Sequence, residues 1–416
     1  MNRQILHIDF DSYFASCEQQ FNLKLRGKPI GVTAQNGRTC IIAASREAKK
    51  LGVKSPSRTF DAQEKVPEII FVPAHFEKYW EITQKFLDIC KDFTPFVELF
   101  SLDEVFMDIT STQSLFGGKY ELIERVRKRI KDEIGEYITV SVGISYNKLL
   151  AKLASGMNKP NGLVEITTQN LDKVYKNTKL TDFCGIGERI ALRLNKLGIY
   201  SPLELRKVSI YRLKAEFGNI ESIFLNNLSF GKDSRGVVPY TEKTPTKSVG
   251  RNYCLPKNEY DKRIISQNIY ELCEEIAIKL RRLKKSAKTV GIYLGGNKNF
   301  HGRKSINEHI DSGQDIFVLC QKILKENGLY LQNEDYVRRM GIWVSGLSDN
   351  KNLTPSLFEL DNKKRKALEI ADKINDKFGD HTIRNGFLLY ADKLTTVPNG
   401  FMADRFERNR IAKSVG

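Results

Sequence analysis

The sequence predicts a multi-domain α+β protein, on three observations. The chain has 416 residues, more than one hydrophobic core usually serves. Short apolar runs alternate with longer helical patterns in a split βαβ order. A strongly basic region then follows a linker rich in Pro, Thr and Lys.

Taken in order, RQILHIDF at 3–10 reads as a buried strand and DSYFASCEQQFN at 11–22 as a helix capped by Asp11 or Ser12. Asp9 therefore stands where a strand ends. Residues 20–77 read as a small α+β insertion, with strands Pro29–Thr33 and Thr39–Ala43 and helices Ser45–Leu51 and Thr59–Lys65. From Phe76 the pattern is a helix to Phe93, strands Val97–Ser101 and Glu104–Ile109, a helix Ser114–Ile134 and a strand Thr139–Ile144. Leu115, Leu122, Val126, Ile130 and Ile134 give that long helix one apolar face. With the first strand, these elements predict a sheet containing antiparallel pairs, with helices on one face.

Residues 169–231 read as short-looped helices and contain FCGIGERIALRLNKLGI, a helix, a Gly-Ile-Gly turn and a second helix. The linker Val237–Thr246 precedes a second βαβ-like block: a strand to Cys254, helix Asp261–Lys284, strand Thr289–Gly295, helix Asp311–Asn327 and strand Tyr336–Val344. Ile265, Ile269, Leu272, Ile276, Leu280 and Leu283 stripe the first of those helices and belong to its core. A polar stretch after Gly346, a helix to about Phe378 and a tail of little periodicity complete the chain.

The net charge is +17, which favours a polyanionic partner through counterion release. Residues 232–305 hold 17 Lys/Arg against 7 Asp/Glu, so the excess is concentrated in one binding face. Seven cysteines without a CxxC pair signal neither a zinc cluster nor a disulfide framework, and fit a reducing cytoplasm. No run approaches the ~20 apolar residues that span a bilayer, and residues 1–8 are too short for a secretory apolar region. A soluble, cytoplasmic protein is expected.

Asp9, Asp11, Asp103, Glu104 and Asp108 fall at or near strand ends of one predicted sheet, and hard divalent cations take such oxygen ligands. Adjacent Asp103 and Glu104 would point to opposite faces of a regular strand, so a shared ion requires a bend at Ser101-Leu102-Asp103-Glu104. A bound Mg²⁺ relieves the repulsion among clustered carboxylates and orients a hydroxyl against a phosphate. The plain alternatives are that Asp9 and Asp11 cap a helix and that Asp103-Glu104 is a solvated turn. In Gly185-Ile186-Gly187, backbone N–H groups at a helix start can approach a phosphate, a grip on DNA without sequence preference; a simple tight turn is the other reading.

DFDSYF at the start, SLDE near residue 103, SVGIS followed by NKLLAKLASGMNKPNG, and then CGIG resemble, in order and spacing, the Y-family translesion DNA polymerases of the bacterial polymerase IV and V type. The resemblance covers residues 1–346. It implies a right-hand polymerase: palm at 1–19 and 78–168, fingers at 20–77, helix-hairpin-helix thumb at 169–236, DNA-binding little finger at 237–346, and a tail at 347–416. It implies lesion-bypass DNA synthesis on primer-template DNA from deoxynucleoside triphosphates, with low fidelity, in DNA damage tolerance. Asp9, Asp103 and Glu104, with the Phe10 carbonyl, would hold two Mg²⁺ ions, Asp103 and Glu104 being the catalytic pair.

By the same resemblance Phe14 is the steric gate under the deoxyribose and Lys159 reaches the incoming triphosphate. Tyr13, Arg46 and Lys49 join the expected nucleotide contacts; where the family often carries Tyr and Arg, ASREAKKLG has Arg46 and Lys49. Lys148 is a candidate for a primer or template phosphate. Lys247 and Arg251, with Arg281, Arg282, Lys284 and Lys285, would track the DNA backbone. Leu357 and Phe358 resemble the short motif that docks bacterial polymerases on the sliding clamp. The competing readings are a catalytically silent DNA-binding scaffold at that clamp, and a nucleotide cyclase or metal-dependent nuclease on the same sheet.

Overall fold

ILHIDF alternates side chains between two covered faces, and β1 (Ile5–Phe10) accordingly lies at the centre of a five-stranded sheet. In the computed structural model, the described residues are 3–33, 40–242, 245–327, 334–352, 359–379 (side chains from 362), 382–389 and 391. Leu357 and Phe358 lie outside them. The chain forms two units, residues 1–243 and 244–416, and the boundary falls inside the predicted linker.

In the first unit β1 is followed by α1 (Tyr13–Phe21), β2 (Ile30–Thr33), β3 (Ile41–Ala44), α2 (Arg46–Lys50), α3 (Thr59–Lys65) and β4 (Ile70–Pro73). Next come α4 (Phe76–Lys91), β5 (Val97–Leu99), β6 (Glu104–Asp108), α5 (Lys119–Arg129), β7 (Val140–Ser145), α6 (Lys148–Met157) and β8 (Leu163–Ile166). The main sheet has the order β5-β6-β1-β7-β8, and β3-β2-β4 form a separate three-stranded sheet. Helices α7 (Leu171–Lys176), α8 (Glu188–Lys196), α9 (Pro202–Arg206) and α10 (Ile210–Ser229) follow, with buried Leu194, Leu205, Leu213, Leu225 and Leu228 in one core.

Both faces of the main sheet carry helices, correcting the one-sided expectation. Period two sends Ile5, His7 and Asp9 one way, where Ile5 packs with Ala151 and His7 bonds Ser155, both on α6. Phe10 points the other way, its ring 4.4 Å from that of Phe86 on α4. The predicted helix Ser114–Ile134 is also broken. Gly117 and Gly118 have φ of 84° and 107°, a left-handed stretch that ends a helix. Leu115 is consequently 77% exposed, while Leu122, Val126 and Ile130 are buried.

The second unit contains β9 (Ser248–Glu259), α11 (Lys262–Arg282), β10 (Lys285–Gly296), β11 (Asn299–Ile310), α12 (Gly313–Glu326), β12 (Val337–Asp349) and α13 (Glu359–Phe378). Its sheet order is β11-β10-β12-β9, antiparallel throughout. Strand β11 is absent from the sequence reading: NFHGRKSINEHI is polar because it is an edge strand, largely exposed or half-exposed. Among the described residues no helix is long and apolar enough to cross a membrane.

Candidate active site

The register of β1 with β6 sets Asp9 directly opposite Glu104, and directly opposed residues present their side chains on one face. The bend between β5 and β6 supplies the third carboxylate. Glu104 O accepts from Phe100 N at 3.1 Å and Ser101 N at 3.2 Å, and Asp103 O accepts from Phe10 N at 2.9 Å. That bend keeps Asp103 beside β1 instead of letting it diverge from Glu104. Its carboxylate accepts from Ser101 Oγ.

Two ammonium groups answer this charge. Lys152 of α6 pairs with Glu104, and Lys159, in the loop after α6, pairs with Asp9. Burial pushes the Asp9 carboxyl up to about 7, Lys159 opposing the shift and the Asp103 and Glu104 charges adding to it. Burial likewise raises Asp103, with the Ser101 hydrogen bond opposing and the Glu104 charge adding. Burial would raise Glu104 as well, but His7 and Lys152 draw it down to about 2.

His7 is fully buried, its Nδ1 2.7 Å from Ser155 Oγ and its Nε2 2.9 Å from Glu104 Oε2. Burial holds its pKa down at about 4, so the ring is neutral at pH 7 and this contact is not an ion pair. His7, Asp9 and Glu104 bring ligand atoms within 4.8 Å of one another, a spacing able to hold a cation. A hard divalent ion prefers the carboxylates, and Asp103 lies close enough for its charge to act on Asp9. The donor set fits a divalent metal.

Two of the five strand-end carboxylates do other work. Asp108 is on the same face but at the far end of β6, where it accepts from Thr110 N at 3.0 Å and Thr110 Oγ1 at 2.6 Å and closes a turn. Asp11 is 2% exposed and accepts from Thr139 Oγ1, Ser141 Oγ and Asn161 N at 2.6, 2.7 and 2.8 Å. Neither Asp11 nor Ser12 caps α1; Ser12 stands at the cap position with φ 53° and makes no capping bond.

Of the expected nucleotide contacts, Phe14 is half-buried and stacks on Tyr79 at 4.6 Å, with Phe76 edge-on at 6.1 Å. Tyr13 corrects the sequence reading: it is 4% exposed, and its hydroxyl donates to Tyr79 O at 2.5 Å, so it is a core residue. Arg46 Nη2 donates to Thr139 Oγ1 at 2.7 Å, and Lys49 Nζ to Ser12 Oγ at 2.9 Å. Burial, reinforced by the Lys159 charge, lowers Lys49. The structure therefore gathers Lys49 and Lys159 around the Asp9 end of β1.

Lys148 is buried and paired with Glu98 at 2.6 Å, which corrects its assignment to a phosphate. Lys152, one helical turn further on the same face, is the basic residue of α6 that reaches the cluster. Sequence reasoning missed it although the spacing from Lys148 was visible.

Gly185 has φ 109°, and a Cβ there would meet the Phe224 ring at 2.7 Å; Gly187 is the N-cap of α8. A single 3-10 turn, Leu180–Asp182, precedes this loop in place of the expected full helix. In the second unit Lys247 and Lys284 are exposed. Arg251 is paired with Glu275 at 3.0 Å, Arg281 with Asp372 at 2.6 Å, Arg282 with Asp376 at 2.6 Å and Lys285 with Asp349 at 2.8 Å. The basic block is thus partly neutralised by its own unit.

Known proteins are similar to this chain in sequence and fold. The impB/mucB/samB family matches residues 8–156, which include all three carboxylates, and its C-terminal domain matches residues 246–357. The chain is 31% identical to a DNA polymerase IV of Desulfatibacillum aliphaticivorans over 92% of this chain and 96% of that one. It is 34% identical to a DNA polymerase IV of Staphylococcus saprophyticus over 83% and 95%. A solved Y-family DNA polymerase chimera superposes with a TM-score of 0.69 at 26% identity, covering 82% of this chain and 98% of its own. Fold, carboxylate cluster and relatives together define a DNA-directed DNA polymerase. More narrowly, the chain belongs to the impB/mucB/samB family, the Y-family translesion polymerases that act in lesion bypass.

Proposed function

We propose that the chain extends a primer 3′ end across damaged template by two-metal nucleotidyl transfer, with low fidelity and no proofreading, Asp9, Asp103, Glu104 and the Phe10 carbonyl holding two Mg²⁺ ions. The observation that carries this reading is the cross-strand pair Asp9 and Glu104, with Asp103 returned beside them by the bend. Divalent cations bound there would lower the pKa of the primer 3′-hydroxyl and neutralise the triphosphate.

The chain's own residues bind and orient. Lys159, whose ammonium already lies against Asp9, reaches the triphosphate. Arg46 and Lys49 of α2 approach it from the other side; Lys49 acts as a point charge and cannot make the bidentate contact of an arginine. The Phe14 ring, braced by Tyr79 and Phe76, lies under the deoxyribose and leaves no room for a 2′-hydroxyl.

In this reading residues 1–19 and 78–168 are the palm, 20–77 the fingers, 169–236 the thumb, 237–346 the little finger and 347–416 the tail. The strands of the first unit's two sheets fall within the palm and fingers bounds, which supports that part of the division, whereas β12 runs to Asp349, three residues past the little-finger bound. Gly185 and Gly187 grip the duplex backbone, Lys247 contributes in the little finger, and Leu357 and Phe358 dock on the sliding clamp.

Primer extension with Mg²⁺ on undamaged and abasic templates tests the reading. The native chain is expected to pass the lesion, and Asp103→Ala to lose about 10²-fold or more of that activity. A native chain that binds DNA and extends nothing would overturn it.

A further inference from the structure

Asp11 is two residues from Asp9 yet anchors a different network. Its Oδ2 accepts from Thr139 Oγ1 at 2.6 Å and Asn161 N at 2.8 Å, and its Oδ1 accepts from Ser141 Oγ at 2.7 Å. Asn161 belongs to the loop 158–162, which carries Lys159. The same loop is held from its other side by Arg127 of α5, whose Nη2 donates to Gly162 O at 2.6 Å and Asn161 O at 3.3 Å.

The loop has little freedom between these anchors. Asn161 sits at φ 55°, a conformation that a residue with a side chain keeps only where its surroundings hold it. A Cβ on Gly162 would overlap Asn158 O at 1.6 Å. Thr139, whose hydroxyl donates to Asp11, accepts from Arg46 Nη2 at 2.7 Å. One carboxylate therefore ties α2 and the Lys159 loop together, and α5 closes the loop's far side.

We propose that Asp11, Thr139 and Arg127 are positioning residues for the incoming nucleotide. They fix the point from which the Lys159 ammonium reaches a phosphate, and Asp11 holds Arg46 to the same anchor through Thr139. The proposal rests on the reading of Lys159 as a triphosphate ligand. Its physical basis is that a charged group aids binding and reaction in proportion to how well its supporting shell is preorganised.

The test is single-nucleotide insertion by the full chain with Mg²⁺, reading nucleotide KM and kcat separately, with primer-template affinity measured alongside. Arg127→Met and Thr139→Val are each expected to raise KM about tenfold, or ~1.4 kcal/mol, with kcat and DNA affinity near native. Asp11→Asn keeps an oxygen toward Thr139 and Asn161 and stays closer to native than Asp11→Ala. Lys159→Met raises KM by itself, and adding Arg127→Met to it raises KM little further, because both act through one ammonium.

Native KM in folded Arg127→Met and Thr139→Val, beside a raised KM in Lys159→Met, overturns the positioning role and leaves the reading of Lys159 standing. Fully additive effects in the double variant overturn it too. Native KM in Lys159→Met removes the reading of Lys159, and the proposal falls with it. Should Asp11→Ala fail to fold, the two milder variants carry the test.

Discussion

Asp9 is the carboxylate for which a proton and a metal ion compete most directly. Burial raises its pKa to about 7, so below that pH the group is protonated and a divalent ion must displace the proton. The sign follows: affinity for Mn²⁺ or Mg²⁺ should fall as pH drops from 8 to 6, approaching about tenfold per pH unit below 7. Calorimetric titration of the DNA-free chain checks this, and Asp9→Asn should flatten the dependence along with weakening the binding. An affinity constant across that range in the native chain would mean that Asp9 titrates near an ordinary carboxylate value. The acidic triad was legible at this scale because a strand-end aspartate and a Ser-Leu-Asp-Glu bend are local patterns. The separate task of Asp11 was not: it depends on Thr139, Ser141 and Asn161, more than a hundred residues away in the chain.

At the scale of elements, the approach of α6 to β1 and β7 decides whether Lys152 and Lys159 reach the carboxylates. Gly143 of β7 makes that approach possible, since a Cβ there would stand 2.0 Å from Ala151 O and 2.4 Å from Ser155 N, both backbone atoms of α6. Gly143→Ala should therefore force helix and strand apart, at about 3 kcal/mol, and lower the melting temperature by roughly 5–10 °C. Gly156 on the same helix has open space around it. Gly156→Ala should be neutral or stabilising by about 0.5–1 kcal/mol, so paired thermal melts separate a packing clash from a general effect of alanine. Periodicity shows β1, α4, β6 and β7 in order, but β4, α6 and β8 are absent from the sequence reading. The break at Gly117–Gly118 and the edge strand β11 were missed as well, the first because the apolar spacing ran on through the glycines, the second because Phe300, Ile306 and Ile310, its apolar residues toward the core, are too sparse to give an alternating pattern.

At the scale of the whole molecule, net charge overstates what is available to DNA. Asp372 on α13 holds Arg281 with two hydrogen bonds, of 2.6 and 2.7 Å, and Asp376 holds Arg282. The last described residues join the same core, with Leu388 buried and Phe387 against Tyr270 and Phe317. Lys247 and Lys284 are exposed. Replacing both lysines by glutamine should reduce the salt dependence of DNA binding by up to about 1.8 in log-log slope, each phosphate contact contributing roughly 0.9. Arg281→Gln should leave that slope nearly unchanged and instead lower thermal stability, because it strips Asp372 of its partner. A slope that responds to Arg281 as strongly as to the lysines would show that α13 does not hold it during DNA binding.

By itself the sequence determined most of the strands and helices in order, the carboxylate motif at the ends of two strands, the family, and the existence of a basic second unit. Each rests on signals carried by neighbours in the chain: periodicity, turn residues, motif spacing and composition. The tertiary structure decided which charges are spent internally and which face outward. It placed Tyr13 in the core, gave Lys148 to Glu98, turned Asp11 from a cap into an anchor, brought Lys152 to Glu104, and folded α13 back on Arg281. Side-chain partnerships of this kind are made across long separations, and a hydrogen bond or ion pair between residues far apart in the chain leaves no periodic trace in either partner's local sequence.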